Sequence, residues 1–262
     1  MNSIKSIING LVIVLSSVVN ANASPEIAHW KTNNGVNVYF VEAPEIPIVD
    51  IRIVYKAGSA QDGAKHGLAS LTASLMDEGA GELDANAFND KLADTGASFG
   101  AGALRDMAWL SLRTLSDEKY SKPAFELLRQ VASSPAFNKD AVSRAKAATI
   151  SRIQREASSP GSVANNAIRK AVFGDHPYAH PTAGEEKTVA AITQADVKDF
   201  HRKYYVAENA MLAIVGALTN EQAHKLADKI TAELPAGTAA GSIAAVNLLD
   251  SKSEQKISFD SI

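Results

Sequence analysis

The 262-residue sequence contains no cysteine, which excludes disulfides and any lipid attached through a cysteine, so its stability must come from packing. Aromatic residues are scarce at 6%, and there is no excess of cations: 26 Lys and Arg stand against 29 Asp and Glu, a formal net charge of −3 with a pI near 6.1. Without a basic stripe or an aromatic platform, nucleic acid is excluded as a partner. Long apolar runs are also lacking beyond residue 23. What remains, 46% hydrophobic and 21% charged residues, is the composition of a folded globular protein.

The one apolar run lies at the start. Lys5 gives it a positive beginning, Ile7 to Val19 is mostly apolar, and Ala21-Asn22-Ala23 is a small-x-small cleavage pattern. Residues 1–23 therefore read as a secretory signal peptide, with the mature chain beginning at Ser24. The run is shorter than the roughly 20 apolar residues a spanning helix needs, so no stable membrane span is expected after its removal. Export without disulfides suits a periplasmic or secreted protein.

Val36 to Val41 and Val49 to Tyr55 alternate or carry β-branched residues around a Pro-rich break and read as two antiparallel strands. From His66 the period becomes helical: Leu68, Leu71, Thr72 and Leu75 share a face, and Gly79 and Gly81 mark the end. A helix over 84–94 follows, then a hairpin from Ser98–Leu104 and Met107–Thr114. Three helices are expected over 117–133, 139–157 and 162–172, another over 193–204, an apolar strand over 210–216 and a closing helix from Thr219 to Glu233. Strands and helices in blocks describe an α+β fold, an antiparallel sheet covered by helices on one side. This body spans 24–234; residues 235–252 have the composition of a linker, and 253–262 read as the start of a truncated second domain.

Several short motifs then fall in order. Gly58-Ser59, Gly67-Leu68-Ala69, Glu78-Gly79, Ser159-Pro160-Gly161, Phe173-Gly174-Asp175-His176-Pro177-Tyr178, Tyr204 through Ala210 and Ile214-Val215-Gly216 cover nearly all of residues 30–235. In order and spacing the set resembles the insulinase, pitrilysin and mitochondrial processing peptidase family of zinc proteases. The resemblance implies that family's two-layer domain. It also implies an inverted zinc motif, H-x-x-E-H, on the helix after Gly67, where two histidines four apart hold the metal and the glutamate activates water.

Aligning Gly67-Leu68-Ala69 with the family's pattern puts Ser70, Ala73 and Ser74 at those three places. A neutral hydroxyl is a poor zinc ligand, and a methyl group accepts no proton. The family's third ligand, a glutamate before the Ser-Pro-Gly turn, maps to Arg152 with Ser151 beside it, and a cation there repels Zn²⁺. Small residues at 70, 73 and 74 are equally what a helix needs to pack closely on a sheet. No catalytic, cofactor-binding or metal-binding residue is assigned, and zinc is expected only in a partner subunit.

Other chemistry finds less support. The run Asp175-His176-Pro177-Tyr178-Ala179-His180 holds two histidines four apart, but its prolines make it a loop without helical chelate geometry. His66 reads as an exposed residue at a helix start, and His29, His201 and His224 as isolated and solvated. No serine sits in a strand-turn-helix elbow. The glycines from Gly96 to Gly102 allow close backbone approach.

In branches of this family one subunit carries zinc while a second shares the fold and lacks the motif. The expected function is that of the second kind: a catalytically inactive, periplasmic, peptidase-like subunit that pairs with a homologous zinc-bearing subunit and holds an extended peptide by strand addition. The rivals are an active metalloendopeptidase using an unrecognised site and a freestanding peptide-binding scaffold.

Overall fold

The computed structural model describes residues 26–246 together with Glu254 and Lys256; the expected signal peptide at 1–23 and nearly all of the expected second-domain start at 253–262 lie outside the described residues. The strands are β1 (Ala28–Lys31), β2 (Asn37–Glu42), β3 (Ile48–Tyr55), β4 (Gly79–Ala80), β5 (Leu83–Asp84), β6 (Ser98–Ala103), β7 (Ala108–Leu115) and β8 (Ala210–Gly216). The helices are α1 (Leu68–Ala73), α2 (Ala85–Thr95), α3 (Glu118–Ser133), α4 (Lys139–Ala157), α5 (Pro160–Phe173), α6 (Glu186–Ala191), α7 (Gln194–Tyr204) and α8 (Asn220–Thr231). Short 3-10 turns at Ser59–Gln61 and Ala207–Asn209 lead into α1 and β8.

Six strands form one sheet in the order β1-β2-β8-β3-β7-β6, and β4 with β5 forms a separate two-residue ribbon. Alternation decides the faces. Val49, Ile51, Ile53 and Tyr55 of β3 register with Leu110 and Leu112 of β7 and with Leu212 and Ile214 of β8, all turned toward the helices. Helices α1, α3 and α8 pack on that side. In α3 the buried positions Ala124, Leu127, Leu128, Val131 and Ala132 recur at helical spacing and fix which stripe meets the sheet. Each fully buried leucine or isoleucine in this layer contributes about 1.5–3 kcal/mol relative to exposure.

The layered α+β fold read from the sequence is present. One pairing differs. β2 and β3 are not neighbours: β8 lies between them, parallel to β2 (Val38 opposite Leu212) and antiparallel to β3 (Ile53 opposite Leu212). β8 joins last in sequence yet sits near the centre, because a strand apolar at Leu212 and Ile214 is buried best between two others. β1, the β4–β5 ribbon and α6 are additions that the sequence reading lacks.

The opposite sheet face carries Tyr39, Asp50, Arg52, Val54, Trp109, Ser111, Arg113, Met211 and Val215 and is uncovered among the described residues. There the Trp109 ring lies over the edge strand: a Cβ at Gly102 would come within 2.8 Å of it and one at Gly100 within 3.3 Å. The Arg52 guanidinium sits 4.8 Å above the same ring. The close approach expected at these glycines is thus to an indole. The residues after α8 have no helix or strand up to 246, but they are tied to the body. Pro235 and Ala236 carbonyls accept from Ala207 and Glu208 N–H (2.7 and 3.1 Å), Ala240 N–H donates to Asn209 Oδ1 (2.9 Å), and His176 Nε2 donates to the Ala244 carbonyl (2.9 Å).

Candidate functional site: a degenerate metal face

The site is built from the approach to α1. Asp62 is buried, 5% exposed, and its carboxylate accepts from Gly67 N–H (2.7 Å) and Ala69 N–H (2.8 Å), two donors that the first turn of a helix leaves unpaired. Burial pushes this carboxyl up to about 7, against the opposing pull of those two N–H groups. Gly67 has φ +97° and Gly184 φ +78°, and the two backbones touch: a Cβ on Gly184 would lie 2.2 Å from the His66 carbonyl oxygen. Only glycine permits this contact between the start of α1 and the loop before α6.

From that anchor α1 runs only to Ala73, shorter than its period suggests. Leu75 and Met76 remain fully buried, but from turns that follow the helix. Ser70 is half-buried, Ala73 is 2% exposed, and Ser74 is exposed with its hydroxyl donating to the Leu71 carbonyl at 2.9 Å. The three share one helical stretch and present two hydroxyls and a methyl. α1 packs against β6, the outer strand of the sheet, and touches α4. On α4, Ser151 and Arg152 are exposed, and the Arg152 guanidinium pairs with Glu156 one turn on at 3.2 Å. The chemistry of this set does not suit zinc: it offers no imidazole and no carboxylate at the three helix positions and a committed cation at the fourth.

A second cluster surrounds a cavity of about 410 Å³ lined by Gly63, His66, Lys170, Asp175, His176 and His180, among others. The histidine rings do not converge. His66 and His180 stack at 3.9 Å with planes 5° apart, which sets their nitrogens side by side. His180 Nδ1 donates to the Pro181 carbonyl (3.0 Å), and burial holds its pKa below the ordinary imidazole value. His176 Nδ1 accepts from Tyr178 N–H (3.1 Å), so both its nitrogens are engaged. Among the described residues no group of three or more His, Asp or Glu is placed to hold a metal ion.

Two histidines, His66 and His201, are more buried than their sequence reading, and two, His29 and His224, are exposed as read but not isolated. His66 is half-buried and stacked rather than exposed. His201 is 8% exposed with Nε2 donating to the Ala132 carbonyl, and burial drives its pKa down to about 4. His224 stacks on Trp30 at 3.8 Å, and His29 on Tyr39 at 4.6 Å. Gly96-Ala97-Ser98-Phe99-Gly100 spells Gly-x-Ser-x-Gly, but it leads from the end of α2 into β6, the reverse of the strand-turn-helix order a nucleophile elbow requires. No sequence signal marked Asp62 as the cap of α1 beyond its place five residues before Gly67.

The frame of the site is thus a six-stranded mixed sheet with helices on one face and α1 anchored beside its edge strand. Residues 37–186 match the family model described as insulinase (peptidase family M16), and residues 191–257 match the one described as peptidase M16 inactive domain. The chain belongs to the insulinase family. A solved structure described as a peptidase M16 inactive domain from Pseudomonas fluorescens is 37% identical with a TM-score of 0.83, over 85% of this chain and 54% of that one. The non-peptidase homolog YmxG of Helicobacter pylori is 23% identical over 87% of this chain and 53% of its own length. The periplasmic protease PqqL of Escherichia coli shares the fold, with a TM-score of 0.76 at 17% identity over 87% of this chain and 26% of that one. The chain spans about half the length of the curated relatives it matches first. Among the described residues no helix is long and apolar enough to cross a membrane.

Proposed function

We infer that this chain is a catalytically silent, exported, peptidase-like subunit that pairs with a homologous zinc-bearing subunit and contributes peptide binding rather than chemistry. The observation that carries this reading is the set Ser70, Ala73, Ser74 and Arg152, where two imidazoles and two carboxylates would stand in an active relative. Two hydroxyls, a methyl and a guanidinium neither hold a divalent ion nor lower the pKa of water bound to it. The description of the Pseudomonas fluorescens structure as an inactive domain and the name of the Helicobacter pylori relative support it.

The peptide-binding element is β6. It ends the sheet, so its outer edge has no strand partner among the described residues, and α1 packs against it. An extended peptide can add there through main-chain hydrogen bonds, with alternate side chains turned toward and away from α1. Zinc and the activated water then come from the partner. Residues 1–23 direct export, which places the pair in the periplasm or outside the cell.

The test mixes the purified chain with the H-x-x-E-H-bearing homologue encoded in the same genome and follows hydrolysis of an extended peptide together with zinc content. The chain alone is expected to hold no stoichiometric zinc and to cleave nothing, and the mixture to cleave faster than the homologue alone. Stoichiometric zinc and turnover in the isolated chain would overturn the silent assignment. A homologue that cleaves at full rate by itself would overturn the pairing.

A further inference from the structure

The α4–α5 hairpin has a charge and a surface that the edge strand does not use. Between residues 141 and 174 six cations meet one carboxylate, Glu156, in a chain whose formal net charge is −3. Three of the six are committed: Arg144 pairs with Glu78 at 2.7 Å, Lys146 donates to the Ala190 and Ile192 carbonyls, and Arg152 pairs with Glu156. Arg155, Arg169 and Lys170 form no ion pair among the described residues.

Helix α5 buries none of its 14 residues. A helix of that length is marginal in water unless one face is packed, and Gly161, Val163, Asn165 and Asn166 make this one weaker still. Its inner side leans on α4. Its outer side carries Ala164, Ile168, Ala171 and Val172, which helical spacing sets in one stripe, with Ile168 62% and Val172 38% exposed. Arg169 borders the stripe on the Val172 side. Arg105, just beyond the end of β6, has its pKa held below the ordinary guanidinium value by burial first and by the charge of Arg169 second. Arg105 donates to the Tyr178 and His180 carbonyls and not to a carboxylate; nearby Asp106 is taken by the Tyr178 hydroxyl at 2.6 Å.

We propose that the outer face of α5 docks the homologous zinc-bearing subunit, which presents there an apolar strip bordered by carboxylates that reach Arg169 and Arg105. The proposal rests on the pairing reading and adds the surface to it. Charge selects the occupant: a second apolar face without carboxylates would leave two guanidiniums at its rim without an opposite charge. Position does so as well. A partner that brings metal chemistry to a peptide on β6 must stand over α1, and α4–α5 is the hairpin beside α1 with unspent apolar surface.

The experiment measures binding of the full chain to the H-x-x-E-H-bearing homologue by calorimetry, for the natural chain, an Ile168→Glu/Val172→Glu variant and an Arg169→Glu variant. Ile168 and Val172 are exposed and Arg169 is half-buried without an ion pair among the described residues, so circular dichroism and the thermal midpoint of the chain alone should not change. The apolar double variant is expected to bind about tenfold or more weakly, the scale of losing a central anchor. The Arg169→Glu loss is expected to shrink as salt is raised, since a rim charge acts through screened attraction. Unchanged affinity in both variants would overturn the surface and leave the pairing standing, whereas no complex with the natural chain would overturn both. A lower thermal midpoint of the variant chains alone would mean that the stripe is already covered within the chain, and self-association abolished by the same changes would make the occupant a second copy. Either result overturns the proposal.

Discussion

At the start of α1 a buried carboxylate and two glycines hold the backbone in place, while one turn further on the helix makes few demands. Asp62, Gly67 and Gly184 form a fixed joint: a buried carboxylate on two N–H groups and two left-handed glycines in backbone contact. Ser70, Ala73 and Ser74 hold nothing comparable, and the recorded side-chain bond among them runs from Ser74 to the carbonyl three residues back. The joint fixes α1 beside β6 whatever residues stand at 70, 73 and 74.

The comparison breaks most readily at Gly184. Replacement by alanine forces a Cβ to 2.2 Å from the His66 carbonyl oxygen at φ +78°. The expected loss is about 3 kcal/mol or more, measured by urea denaturation. Gly63 is the control, with φ +58° but nothing within 4 Å of its added Cβ. There alanine should cost about 1 kcal/mol, the penalty of the left-handed backbone alone.

Asp62→Asn comes next, at about 2 kcal/mol, because an amide keeps one acceptor and turns a donor toward an N–H group. It also changes the response to pH. The folded state holds Asp62 at about 7 against an ordinary 3.8, so folding favours its protonated form; that contribution is complete below 3.8 and is lost as pH rises through 7. His201 runs the other way, at about 4 against 6.5, so folding favours the neutral ring; its contribution is complete above 6.5 and is lost as pH falls through 4. The two changes occupy nearly the same interval, from about 4 to about 7, with opposite slopes that largely cancel, so stability in urea should vary little there, and Asp62→Asn should unmask a rise with pH that His201 alone produces.

Trp109→Ala tests whether the edge strand is held from the uncovered face. Loss of the indole removes the cover of Gly100 and Gly102 and the contact with Arg52, for about 1 kcal/mol in global stability. The sharper readout is hydrogen exchange at β6, which should quicken while exchange at β3 does not. Equal protection in both strands would mean that β6 needs no such cover.

What the sequence disclosed and what it hid divide along sequence separation. Alternation in β3 and β7 and the apolar run of β8 are local signals, and they place those elements well; Asp117 and Thr219 cap α3 and α8. The insertion of β8 between β2 and β3 is a choice among distant partners that no window of residues contains. The length of α1 was overread because Leu75 and Met76 are buried from a turn as fully as a helix would bury them, and burial is all that periodicity reports. His201 hides its burial for the same reason: Ala132 of α3 accepts from its Nε2 and Phe137, between α3 and α4, packs edge-on to it, while Tyr205, four residues on, stacks on its ring. Ser70, Ala73 and Ser74 became visible only by resemblance, since small residues on a helix carry no signal of a vanished site.

The smallest expected effects are those at the degenerate face itself. Ser74→Ala removes one exposed hydroxyl and its bond to the Leu71 carbonyl, an acceptor that water can also satisfy; Ser70→Ala removes a half-buried one. Each should fall within about 0.5 kcal/mol, as surface substitutions without a buried partner do. Alanine also favours the helix slightly over serine, which offsets the lost bond. Urea denaturation of the two variants beside Gly184→Ala puts the whole contrast on one scale. Should either serine prove as costly as Gly184, the face would have acquired a structural duty of its own, and its lack of metal chemistry would then reflect that duty rather than the absence of any demand on it.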